Sequence, residues 1–229
     1  MSDCSTCMVR GRAICASLDD GELAELGRMG RRQRVKPGQT LLWEGDDVPL
    51  VANVLNGVLK LVVAAADGRE QIVGIVFASD FIGRPFGKKS PYRVTAMTDA
   101  EVCIYNRNSF DAFAEGHPHL QQKLLRRTLD ELDRARYWMM LLGRKSAGEK
   151  VASFLLDMSQ RLPGHGGAMG REAGFELPFG RQQIADILGL TIETTCRQLT
   201  RMRAAGLLDL PSRRQVVIRD QRAMELAAG

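Results

Sequence analysis

Thiols dominate the reactive side chains at the start of this chain. Its 229 residues include five cysteines, and Cys4, Cys7 and Cys15 fall in C-x2-C-x7-C spacing within MSDCSTCMVRGRAIC. Thiolate sulfur is a ligand for zinc or for the iron of iron–sulfur clusters, and such centres ask for four ligands. A short arm containing Gly11 can wrap three thiolates around one centre, and the fourth must come from elsewhere. Cys103 is the natural candidate. In Glu101-Val102-Cys103-Ile104-Tyr105 the side chains should alternate across a strand. If Val102 and Ile104 face the core, Cys103 faces outward beside Glu101 and Tyr105, where the arm can reach it. The alternative for Cys103 taken alone is a small buried hydrophobe. His117, His119 and His165 lie in loop-like sequence, and no nucleophile–base or paired-carboxylate pattern stands out, so the chain does not read as an enzyme.

A second set of functional side chains occupies Gly180 to Arg203, GRQQIADILGLTIETTCRQLTRMR. Ile184, Ile187 and Leu188 form one apolar helical stripe, Gly189-Leu190-Thr191 breaks it, and Ile192, Leu199 and Met202 resume it in a second helix. Two short helices joined by a glycine-containing turn are the sequence form of a helix-turn-helix. Thr191 is placed to cap the second helix, and Glu193 supplies negative charge in its first turn. With the apolar stripe turned inward, Glu193, Thr194, Arg197 and Arg201 remain on or near the outer face. That set suits a major groove: Glu accepts from cytosine, Arg grips guanine bidentately, and further arginines reach phosphate. Downstream, Leu207–Leu210 and Gln215–Ile218 flank Pro211-Ser212-Arg213-Arg214, a small hairpin with Arg213 and Arg214 at its tip. The bland alternative is a pair of core-packing helices with a solvated charged face.

These sites need elements to position them. A hydrophobic fraction of 45% over this length suffices for two ordinary domains with real cores. Net charge is +5, and from Pro178 to Arg219 there are seven arginines against Asp186, Glu193 and Asp209, so positive charge gathers where the helix-turn-helix lies. No apolar run is long enough to span a membrane and the N-terminus lacks a signal-peptide core, so the expected location is the cytoplasm. Thiols in that reducing compartment point to metal or redox chemistry rather than disulfides. Leu18 to Met29 reads as an amphipathic helix capped by Ser17 or Asp19. From Gln33 to Asn106, short apolar runs alternate with turn signals at Lys36-Pro37-Gly38, Glu44-Gly45-Asp46, Asn56-Gly57 and Asp67-Gly68, the rhythm of an antiparallel sandwich or barrel. A long helix from about Leu120 to Leu142 carries Leu125, Leu132 and Met139 at heptad spacing, with Thr128, Ala135 and Leu142 in the complementary positions. That pattern predicts a two-helix dimer seam, the alternative being a helix packed on its own β domain. Gly143-Arg144-Lys145-Ser146 is the expected hinge, followed by a helix to Arg161 and a glycine-rich loop from Pro163 to Gly174.

IADILGLTIETTCRQLTRM resembles the DNA-binding helices of the CRP/FNR transcription regulators, whose recognition helix carries Glu and then Ser-Arg three and four residues on. Glu193 and Arg197 match, and Cys196 stands where Ser is usual. KPGQTLLWEGD and VLNGVLKLVVAAADGREQIV resemble the opening hairpins of the cyclic-nucleotide-binding β-roll, the sensory domain of that family. The resemblance implies an α+β chain: a cluster-binding arm at 1–16, a β-roll at 17–116, a dimerisation helix at 117–143 and a winged helix-turn-helix domain at 144–229. The family's cyclic-nucleotide cassette is missing. Phe81-Ile82-Gly83-Arg84-Pro85-Phe86 has no Glu after the glycine, and Ser90-Pro91-Tyr92-Arg93 stands where Arg-Ser is expected. The cysteines are similar instead to the FNR branch, which implies an oxygen-labile [4Fe-4S] cluster on Cys4, Cys7, Cys15 and Cys103. Seven residues separate the second and third cysteines where other branch members have five. The expected partners are double-stranded DNA carrying an inverted repeat, a second copy of the chain, and RNA polymerase. A structural zinc ion on the same thiolates, or a small-molecule effector, is the alternative.

Overall fold

The structure, a computed structural model, describes residues 4, 6–162, 164–165 and 174–229. The chain folds as two compact units, Met1–Asp133 and Arg134–Gly229. In the first, α1 (Asp20–Met29) precedes eight strands: β1 (Arg31–Val35), β2 (Thr40–Leu42), β3 (Leu50–Asn56), β4 (Leu59–Ala64), β5 (Glu70–Val76), β6 (Phe81–Ile82), β7 (Arg93–Ala96) and β8 (Ala100–Asn106). α2 (Arg107–Glu115) and the long α3 (Pro118–Arg144) follow. The strands form two antiparallel sheets, ordered β1-β8-β3-β6 and β2-β7-β4-β5. The predicted turns at Gly38, Gly45, Gly57 and Gly68 all have positive φ. At Gly57 the requirement is double, because a Cβ would also collide with the Asp99 carbonyl and the Ala100 backbone.

Alternation along β3 and β8 creates two cores. Ala52, Val54, Val102 and Ile104 pack with Leu59, Leu61, Val94 and Ala96 in one apolar cluster. The intervening Val51, Leu55, Cys103 and Tyr105 belong to a second, with Val9, Ala13 and Ile14 of the arm, Leu23 and Leu26 of α1, and Phe110 and Phe113 of α2. Cys103 therefore does point away from Val102 and Ile104, but it is not an outward residue: it is 6% exposed. The arm and two helices cover that face of the sheet, which strand periodicity alone cannot reveal.

Local signals fix the helix ends. Asp19 caps α1, accepting from the Glu22 N–H at 2.8 Å while Glu22 accepts from the Asp19 N–H at 2.9 Å. Pro118 opens α3, where its missing N–H costs nothing. At 1.5 Å per residue the 27 residues of α3 run about 40 Å. Along it Leu125, Leu132, Ala135 and Met139 are exposed and Leu142 is half-buried. Leu129, Tyr137 and Met140, outside the predicted positions, are exposed as well.

The second unit contains α4 (Ala147–Arg161), β9 (Gly164–His165), β10 (Gly174–Glu176), α5 (Arg181–Leu188), α6 (Ile192–Ala204), β11 (Leu208–Asp209), β12 (Gln215–Ile218) and α7 (Gln221–Ala228). Its sheet is ordered β11-β12-β10-β9. The loop expected over 163–174 thus ends in strand residues, and 163 and 166–173 lie outside the described residues. Val151, Phe154, Leu155, Phe179, Ile184, Leu188 and Met224 are fully or almost fully buried here. Lys145, in the expected hinge, donates to Ser153 Oγ at 3.0 Å and to the Ala228 carbonyl at 2.6 Å, tying the start of α4 to the end of α7. No helix among the described residues is long and apolar enough to cross a membrane.

Candidate metal centre and nucleic-acid interface

Tight backbone turns build the arm. The Cys7 N–H bonds to the Cys4 carbonyl at 3.4 Å and the Arg10 N–H to the Cys7 carbonyl at 3.1 Å, and a 3-10 turn covers Ile14–Ser17. Val9, Ala13 and Ile14 are buried and anchor the arm on the first sheet. Anchoring these apolar residues carries Cys4, Cys7 and Cys15 towards Cys103, and all four line one cavity of about 20 Å³. Leu23, Leu55, Asn53 and Tyr105 also line it. The Cys103 thiol donates to Tyr105 Oη at 3.3 Å, and Asn53 Nδ2 donates to Cys15 Sγ at 3.4 Å. Among the described residues, no three His, Cys, Asp or Glu side chains form a closed metal-ligand group. What the fold supplies is four thiols around one cavity.

The electrostatics follow from that crowding. Burial, then the neighbouring Cys103 and Cys4, push the Cys15 thiol up to about 12, with Cys7 adding to the effect and a Tyr105 hydrogen bond opposing it. Burial and the Cys15 and Cys103 thiols push the Tyr105 phenol well above its ordinary range. At neutral pH these groups hold their protons, and a metal ion bound among them would favour the thiolate form. The donor set therefore fits a thiol-ligated metal: four soft ligands share one site, with Arg10 and Arg32 also in its lining.

Gly30, which ends α1, backs this site. A Cβ there would stand 2.8 Å from Tyr105 Cε1 and 3.1 Å from Cys103 Sγ. Gly30→Ala is expected to destabilise the metal-free protein by about 1–3 kcal/mol through overpacking. Chemical denaturation checks this; an unchanged midpoint would mean that the end of α1 packs loosely on β8.

The residues standing where a cyclic phosphate would bind are engaged elsewhere. Arg93 pairs with Glu70 at 2.6 Å and lies over the Trp43 ring at 5.7 Å. Ser90 Oγ donates to the Tyr92 carbonyl at 2.6 Å.

In the second unit, Gly189 ends α5 in the left-handed conformation (φ 61°), and Thr191 Oγ1 accepts from the Thr194 N–H at 3.2 Å to start α6. Glu193, Cys196, Arg197 and Arg201 are exposed and Thr194 is half-buried. Arg197 Nη2 reaches Thr194 Oγ1 at 3.3 Å. Backbone N–H donation at the helix start and the Thr191 hydroxyl hold the Glu193 carboxyl below its usual range, keeping it an ionised acceptor. Two residues of these helices escaped the sequence reading. Thr195 is wholly buried, at the helical spacing Thr195–Leu199–Met202 of the inward face; a hydroxyl on the apolar stripe disguised it. Arg181, opening α5, is half-buried, with its pKa lowered first by burial and partly restored by nearby Cys196. In the hairpin, Leu208 pairs with Ile218 and Asp209 with Val217. Ser212 Oγ accepts from the N–H groups of Arg214 at 3.2 Å and Gln215 at 3.0 Å, shaping a tip from which Arg213 and Arg214 project into solvent.

Comparisons with known proteins agree with this division. Residues 32–117 match the cyclic nucleotide-binding domain family, and residues 149–227 match the Crp-like helix-turn-helix domain. The chain is 42% identical over 222 residues to the transcriptional activator protein FnrL of Cereibacter sphaeroides, covering 95% of this chain and 88% of that one. It is 40% identical over 205 residues to the nitrogen fixation regulation protein FixK of Bradyrhizobium diazoefficiens, covering 90% and 85%. Among solved structures, FixK2 of Bradyrhizobium japonicum superposes with a TM-score of 0.80 at 30% identity, covering 87% of this chain and 98% of that one. The two matched domains, in this order along one chain and with relatives spanning nearly its full length, make it a member of the CRP/FNR family of DNA-binding transcription regulators and not an enzyme.

Proposed function

We propose that this regulator is an oxygen- or redox-responsive transcriptional activator carrying a [4Fe-4S] cluster on Cys4, Cys7, Cys15 and Cys103. The observation that carries the reading is the convergence of four of its five cysteines on one cavity. When bound, such a cluster supplies electron chemistry and sensitivity to oxidants. The chain's own part is to hold four sulfurs around one cavity, three on an arm and one on a strand. Activation agrees with the role of FnrL, a transcriptional activator, and RNA polymerase is the matching partner in the cytoplasm. The exposed apolar side chains of α3 form the dimer seam, and two copies of α6 then address an inverted repeat. Glu193 and Arg197 read base edges; Thr194, Cys196 and Arg201 line the same face, with Cys196 a weaker polar contact than the usual serine. Arg213 and Arg214 hold phosphate.

A second reading keeps the ligands and changes the metal. A zinc ion on the same four thiolates would make the arm structural. Iron, acid-labile sulfide and zinc analysis of protein prepared without oxygen decides between them. A brown protein with about four iron and four sulfide per chain supports the cluster. Colourless protein with one zinc overturns it in favour of the second reading, and protein that takes neither overturns both.

The two kinds of DNA contact predict different losses. Arg197→Ala should weaken cognate binding by about 1–3 kcal/mol and relax preference at one base pair, whereas Arg213→Ala should weaken all sequences alike and reduce the salt slope by about one. Titrations on cognate and scrambled duplexes at several salt concentrations separate them; the assignment of base reading to Arg197 fails if both variants lose affinity uniformly.

A further inference from the structure

Asn53 occupies a position that the pattern of β3 reserves for an apolar side chain. Its neighbours on the same face, Val51 and Leu55, are part of the core beneath the arm, and Asn53 is only 1% exposed. Strand pairing sets it directly across from Cys103. Its Nδ2 donates to Cys15 Sγ at 3.4 Å, while its Oδ1 has no hydrogen-bond partner among the described residues. A buried, unsatisfied carbonyl oxygen costs about 1–3 kcal/mol. Leucine, of similar volume, would fill the space without that penalty. The fold is thus better served by an apolar residue here, and what distinguishes the amide is the N–H it aims at a sulfur.

We propose that Asn53 is a positioning residue of the thiol site, its side-chain amide donating to the Cys15 sulfur and so orienting that sulfur towards a bound centre. The inference rests on the reading of the four cysteines as ligands. Hydrogen bonds to ligand sulfurs raise a cluster's reduction potential and orient the ligand, and loss of such an outer partner costs about 10–100-fold in metal affinity or activity. Removing the donor while keeping the volume should therefore separate two properties that a purely structural residue would move together.

The test compares full-length wild type with Asn53→Leu, reconstituted with iron and sulfide without oxygen. Asn53→Ala carries the same comparison if the leucine variant fails to fold. The expected result is an unfolding midpoint for metal-free Asn53→Leu equal to or above wild type. Alongside it, the variant's cluster should have a more negative reduction potential, and its absorbance should disappear in air about 10-fold faster. A cluster with wild-type potential and decay rate overturns the proposal, as does loss of the cluster in step with fold stability in the variant that folds. If wild type takes up no cluster, the cofactor reading has failed. Zinc affinity, measured in competition with a chromophoric chelator, then decides the role of Asn53. Roughly 10-fold weaker binding by the variant upholds it, equal affinity overturns it, and no zinc binding by wild type overturns both.

Discussion

Cys103→Ser, prepared without oxygen, is expected to lose the visible absorbance of the cluster, while Cys196→Ser keeps it in full. The contrast follows from position. Cys103 is buried opposite Asn53 in a cavity shared with Cys4, Cys7 and Cys15, whereas Cys196 is exposed on α6 in the other unit. A serine hydroxyl is a poor ligand for soft iron, and the change leaves the site with the three thiols of the arm. The fold itself should survive. Tyr105 Oη lies 3.3 Å from the sulfur and can pair with the new hydroxyl, which limits the cost of burying it to about 1 kcal/mol. Iron and sulfide content and absorbance, read beside the unfolding midpoint of the metal-free form, check both halves. A full cluster in Cys103→Ser would remove it from the ligand set; a collapsed fold would show that it acts through packing.

Replacement of Leu132 by Glu should yield monomers and reduce affinity for an inverted repeat by at least about 10³-fold, towards non-specific levels. In the single chain Leu125 is 59%, Leu132 43% and Met139 73% exposed, more apolar surface than one solvated helix has reason to show. At seven-residue spacing these side chains recur on one side of α3 and suit a partner helix. A carboxylate at the middle position would be buried twice in a two-fold seam, beside its own symmetry copy, and desolvating that charge is costly. Within one chain the change is mild, because Glu is a good helix former and the position faces solvent. Two half-sites about 34 Å apart need two recognition helices held together. Sedimentation and DNA titration report the two consequences. An unchanged dimer would place the seam on another surface.

The sequence by itself determined what neighbours along the chain decide. Thr191 caps α6 and Gly189 takes the left-handed conformation because one hydroxyl and one missing Cβ suffice for each. The glycine turns divide the β domain for the same reason. The seven-residue repeat exposed the apolar side of α3, and alternation paired Cys103 with Tyr105 on one face of β8. Alternation could not say whether that face meets water. Its cover comes from Val9, Ala13 and Ile14, which lie some ninety residues earlier, and the core they complete turns an outward strand residue into a buried one. The same long-range packing alone singled out Asn53, Gly30 and Arg181, whose residue types signal nothing locally. An amide, a glycine and an arginine become part of a site only when a distant sulfur, ring or helix is brought within a few ångströms, and burial and hydrogen bonding depend on that proximity in space rather than on order along the chain.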